Sequence, residues 1–89
     1  MAIKHRTYSV SVTTTAVRVC TADPKRNHLK ILETLGVTAY LTDAQNKAAT
    51  EGYPVSSTLP FETDHGQGEY WAITAAGTAS LRVEDVGES

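Results

Sequence analysis

The chain of 89 residues is poor in the groups that carry most single-chain chemistry: it has one cysteine, one tryptophan, one phenylalanine and three prolines. A lone Cys20 excludes an intrachain disulfide and leaves almost no room for a thiolate zinc site. It alternates with Arg18 and the valines Val17 and Val19 in an apparent strand, where it reads as a small residue filling a gap. No apolar run approaches the ~20 residues that a membrane-spanning helix needs, so no membrane partner is expected. No apolar stretch follows Lys4, His5 and Arg6, so no secretory leader is expected and synthesis is placed in a cytosol. An excess of positive charge is missing too. The formal net charge is −2, which argues against a nucleic-acid binder driven by bulk charge. A mass of 9.6 kDa fits one domain with a thin core, and leaves no space for a cofactor domain beside a substrate domain.

Threonine and valine are abundant. Thirteen Thr and eight Val favour pleated surfaces, which makes an all-β fold the first expectation. The charge is unevenly spread. Residues 1–30 carry six Lys or Arg against one Asp, while residues 31–89 carry two against nine Asp or Glu. Two readings follow: an electropositive patch facing a negative partner, or basic strands interleaved with acidic ones brought together by an antiparallel fold.

Alternation along the chain predicts the strands. Tyr8, Val10 and Val12 share one face, with Ser9, Ser11 and Thr13 opposite, and Val17 and Val19 continue the pattern. Residues 8–20 therefore read as a hairpin or one long bent strand. Asp23-Pro24 marks a turn in which Asp23 can bond back to the chain. Leu29–Leu35 and Val37–Leu41, split by Gly36, read as a short antiparallel pair. Residues 43–51 offer no apolar stripe and read as a loop with at most one helical turn. A short strand is expected over Thr58–Thr63, with Pro60 at an edge or strand start. Another covers Glu69–Thr74, and the last runs over Ser80–Val86 with Leu81 and Val83 inward. Ala75–Thr78 reads as a hairpin connection in which Gly77 can take a positive φ. Seven to eight short strands with turn signals every eight to twelve residues predict a single β-sandwich or jelly-roll-like barrel. The expected division is a flexible arm over residues 1–7, the sandwich over 8–86, and a frayed tail over 87–89.

Candidate chemistry is sparse. His5, His28 and His65 do not follow a metal-ligand spacing, and Asp64-His65 sits in a Gly-rich turn where adjacent side chains point apart. Asp43, Asn46 and Glu51 do not follow a calcium-loop spacing. No G-x-S-x-G elbow or phosphate loop is present. No cofactor or metal is expected, and the chain is not expected to be an enzyme. Tyr53, Tyr70 and Trp71 could pack under loops, anchor a partner or stack on a sugar.

The order of these segments resembles a family of small bacteriophage virion proteins. The carrying residues are Val17-Arg18-Val19, the Ala22–Ile31 turn and strand, Val37–Leu41, Gly52-Tyr53-Pro54-Val55, and Glu69–Thr78 closed by Leu81-Arg82-Val83. The similarity spans about residues 7–86. It implies a non-enzymatic β-sandwich of the virion, most simply a capsid decoration (cement) protein that binds the major capsid protein or other virion proteins. Capsid symmetry would then favour a homo-oligomer such as a trimer. A tail, collar or baseplate component is the alternative within that class, and a carbohydrate-binding adhesion module is the alternative outside it. Ile3, Lys4, Arg6, Lys25, Arg26 and Tyr53 are the expected partner-binding residues.

Overall fold

The computed structural model describes residues 3–64 and 67–88. Among these residues eight strands form: β1 (Ile3–Val12), β2 (Val17–Cys20), β3 (Arg26–Glu33), β4 (Ala39–Thr42), β5 (Tyr53–Val55), β6 (Phe61–Thr63), β7 (Tyr70–Thr74) and β8 (Ala79–Glu88). A single 3₁₀ turn at Ala49–Glu51 interrupts the loop before β5. The strands build two antiparallel sheets, with order β1-β8-β3-β6 in sheet I and β2-β7-β4-β5 in sheet II.

The pairing follows one rule. β1 pairs with β8, β2 with β7, β3 with β6 and β4 with β5. The chain is thus one long hairpin folded over on itself, and the added pairs β3–β8 and β4–β7 lock the fold. This is the jelly-roll arrangement of the β-sandwich. Of the six pairings, only β4–β5 joins strands consecutive in the chain.

Alternation places the core where the sequence pattern predicts it. Val12, Leu29, Ile31, Leu81 and Val83 from sheet I meet Val19, Ala39, Leu41, Val55 and Ala72 from sheet II, and all are buried. Tyr8, Val10, Val17, Val37, Phe61 and Tyr70 pack against them. At ~25 cal/mol per Å² of apolar surface removed from water, these side chains are the main source of stability. Gly36 and Gly77 take φ values of 81° and 79°, the left-handed region that glycine enters without a Cβ clash.

Several sequence expectations are corrected. Residues 3–7 are no free arm: they are the first half of β1, paired with β8 from Ile3↔Glu88 to Thr7↔Glu84. Their polar composition hid this, because the inward positions they face are polar as well. Gly87 and Glu88 likewise belong to β8 rather than to a frayed tail. A Cβ at Gly87 would fall 2.5 Å from the Lys25 carbonyl oxygen, so close packing, rather than a chain end, selects glycine there. Residues 8–20 split between two sheets, as do β3 and β4, and as do β7 and β8 on either side of Ala75–Thr78. Each of these links is an arch from one layer to the other. The Asp64-His65 turn lies partly outside the described residues.

Candidate functional site

The jelly roll leaves two open sides. On one, the edge strands β1 and β2 flank a groove; on the other lie the edge strands β5 and β6. The β1/β2 groove has a volume of about 650 Å³ and is lined by Arg6, Thr7, Tyr8, Arg18, Val19, Cys20 and Thr21. Tyr8 points inward by strand parity, and its hydroxyl donates to the Val19 carbonyl at 3.0 Å, tying the two sheets together across the groove. Burial raises the Tyr8 hydroxyl pKa above its ordinary value. Burial also raises that of the Cys20 thiol, which keeps it protonated and unreactive near neutral pH.

Two arginines wall the groove. Arg6 donates from Nη2 to Asp85 Oδ2 at 3.0 Å, and its guanidinium lies 5.9 Å from the Tyr8 ring centroid. The hydrogen bond to Asp85 raises its pKa further. Arg18 pairs through Nε with Glu69 Oε1 at 3.2 Å and lies 5.1 Å over the Trp71 ring. Trp71 Nε1–H in turn donates to Glu69. Both side chains are about half exposed, so a carboxylate-bearing partner can reach them.

The end of the sandwich near the groove is closed by charge. Asp85 sits on the inward face of β8, in the series Ala79, Leu81, Val83, Asp85, Gly87. Arg26 faces it with its Nε donating to Oδ1 at 3.4 Å, and donates further to the carbonyls of Gly68 (3.1 Å) and Thr21 (2.7 Å). Arg26 is therefore a strut among β3, β8 and two loops, with 1% of its surface exposed. Its expected role in partner binding is corrected on that ground. A register shift between Arg26 and His28 turns its side chain inward. Lys4 donates to Asp23 Oδ2 at 3.2 Å, while Asp23 Oδ1 accepts from the Lys25 N–H at 2.9 Å. The backbone bond from Lys25, aided by Lys4, holds the Asp23 carboxyl below its usual range.

At the opposite end, Glu33 is fully buried with no ion pair to a cation among the described residues. Its oxygens accept from the backbone N–H groups of Leu35, Gly36, Val37 and Ser80 at 2.6 to 3.1 Å. Burial pushes its pKa up, but the four donors together push it below its ordinary value.

The structure gathers five of the expected contact residues at one place. Ile3, Lys4 and Arg6 lie on β1, and the Lys25-Arg26 segment packs against the Gly87 end of β8. Tyr53 stands on the far side, edge-on to Phe61, with ring centroids 5.8 Å apart. Sequence reasoning missed Arg18 and Tyr8 as groove residues, and Asp85 and Glu33 as buried acids. Strand parity held the signal for the acids: each continues the inward series of its strand, Leu29-Ile31-Glu33 and Leu81-Val83-Asp85. The basic and acidic parts of the chain meet each other through His5–Glu84, Arg6–Asp85, Arg18–Glu69, Arg26–Asp85 and His28–Glu62.

Among the described residues no group of three or more His, Cys, Asp or Glu side chains is placed to hold a metal ion, and no helix is long and apolar enough to cross a membrane. Compared with protein-family models, with curated proteins and with solved structures, the chain finds a match in none of the three.

Proposed function

We propose that the chain is a non-enzymatic structural module of a bacteriophage virion, a decoration protein that binds the major capsid shell. The observation that carries this reading is the allocation of polar groups. The buried charges of Arg26, Asp85 and Glu33 tie strands and loops together, and the half-exposed Arg6 and Arg18 lie on the edge strands β1 and β2, where they can recognise a surface. Two further points support it. The jelly roll is a common architecture of viral coat proteins, an argument from analogy of fold. The resemblance over residues 7–86 points to the same class. A sugar-stacking module has less support, since Arg18 covers one face of the Trp71 ring and Tyr53 packs edge-on against Phe61.

The test is the copy number of the chain in purified, intact particles of the virus that encodes it. Copies in the hundreds are expected for a decoration protein, whose number follows the shell lattice. About six or twelve copies per particle would move it to the tail, collar or baseplate. Absence from particles would overturn the virion reading altogether.

A further inference from the structure

We propose that copies of this chain associate head to tail, the β1/β2 side of one molecule seating on the β5/β6 side of the next. The two open sides differ in every property that decides such a contact. β1 runs ten residues along the edge of sheet I with no proline, so its outer backbone groups are open to a partner. The far side carries Pro54 within β5 and Pro60 before β6, which removes N–H donors there and blocks symmetrical strand addition at that edge.

The charges are complementary. On the β1/β2 side Lys4, His5 and Arg18 are paired with Asp23, Glu84 and Glu69, but Arg6 shares its one acid among the described residues, the buried Asp85, with Arg26, so cationic charge is left over at the half-exposed Arg6. On the far side Glu62 and Asp64, more than half exposed, share His28 as their single partner among the described residues, so anionic charge is left over there. A β1-to-β1 contact would therefore gain no charge pairing, and neither would a β6-to-β6 contact. A contact between unlike sides pairs guanidinium with carboxylate.

The exposed apolar residues divide in the same way. Ile3 lies on β1 with 71% of its surface exposed, whereas Tyr53 (54%) and Leu59 (47%) lie on the β5/β6 side. Leu59 closes a tight turn bridged to Ser56. The groove between β1 and β2 is a concave seat for that turn. Seating that side on the groove thus covers Tyr53 and Leu59, two of the four exposed large hydrophobic residues, which a lone molecule leaves in water. Because the two surfaces differ, the contact is heterologous and generates a ring or an open array instead of a two-fold dimer. It stands apart from the virion reading, because the purified chain alone tests it.

Sedimentation velocity on the full chain at low salt is the test. Wild-type protein should form species larger than a dimer as concentration rises toward ~1 mM, and these should dissociate near ~1 M salt, where screening reaches about 3 Å. Arg18→Glu damages only the head and Leu59→Glu, at an exposed position, only the tail; the two damaged surfaces are then both acidic and do not pair with each other. Each variant alone should self-associate at least tenfold more weakly. Their mixture should form a one-to-one dimer that grows no further, since one intact head and one intact tail remain. If Arg18→Glu fails to fold, Ile3→Glu, at a highly exposed position, replaces it as the head variant. A wild-type monomer at every concentration, unaltered association of the single variants, or no dimer in the mixture would each overturn the proposal.

Discussion

Asp85 and Glu33 are both carboxylates buried on the inner face of sheet I, and they are satisfied by opposite means. Asp85 meets two guanidinium groups, from Arg6 and Arg26. Glu33 meets no cation among the described residues and is held by four backbone N–H groups. The difference teaches what each end of the sandwich needs. Near Asp85, the loops at Thr21 and Gly68 converge on β3 and β8, and a long cationic side chain can bridge them. Near Glu33, the chain turns tightly from β3 toward β4, and the orphaned N–H groups of that arch need one compact acceptor. An ion pair fastens the first end, and a carboxylate acting as a backbone cap fastens the second.

The comparison breaks most visibly at Asp85. Asp85→Ala leaves the Arg26 charge buried beside a hole, and is expected to cost about 3–5 kcal/mol in urea unfolding. The double variant Asp85→Leu with Arg26→Met should lose less than either single change, because no lone charge remains buried. Equal losses in single and double variants would mean that shape, not charge, closes this end.

A smaller effect is expected at Glu33. Glu33→Gln keeps one acceptor but loses the charge-assisted bonds, with an expected cost of about 1–3 kcal/mol at neutral pH. The native pKa of Glu33 lies below its ordinary 4.5. Its stabilisation is therefore complete above about 4.5 and is lost as pH falls through the lower native value. The gap between wild type and Glu33→Gln should narrow over that interval. A gap that stays constant with acidification would remove the charge from the explanation.

The smallest effect concerns the outer face of the same sheet. His28 contacts Asp64 Oδ1 at 2.9 Å and Glu62 Oε2 at 3.1 Å. The bond to Asp64, followed by that to Glu62, raises its pKa above 6.5. Here the sign is the reverse of Glu33: the contribution is complete below 6.5 and disappears as pH rises through the raised native value. Solvent screens this exposed cluster, so the difference in thermal midpoint between wild type and His28→Gln should be slight, and should shrink toward alkaline pH and in high salt.

Local alternation made most strands and their inward faces legible, from Tyr8-Val10-Val12 to Leu81-Val83, and the turn signal marked the left-handed Gly77, while Gly36 read only as a strand break. Alternation did not reveal partners. A four-residue link such as Thr13–Ala16 can close a hairpin or arch to another layer, and side-chain parity is the same in both. Parity also outlasts hydrophobicity. β1 and β8 continue inward through Arg6 and Asp85, where an apolar pattern has ended and only the opposing strand explains the residue. The groove was illegible for the same reason, since Tyr8 and Val19 lie eleven residues apart and meet only after the fold-over.

That fold-over also sets an order in time. Contacts local in sequence exist mainly at the β4–β5 tip, while β8 fills the place between β1 and β3 in sheet I. During synthesis, β1 leaves the ribosome first and must wait for every later strand before its partner appears. Half the chain cannot fold in advance of the rest, and closure of so many distant pairings makes this a slow folder for its size. Until β8 arrives, the unpaired β1 is the segment most in need of protection from its neighbours.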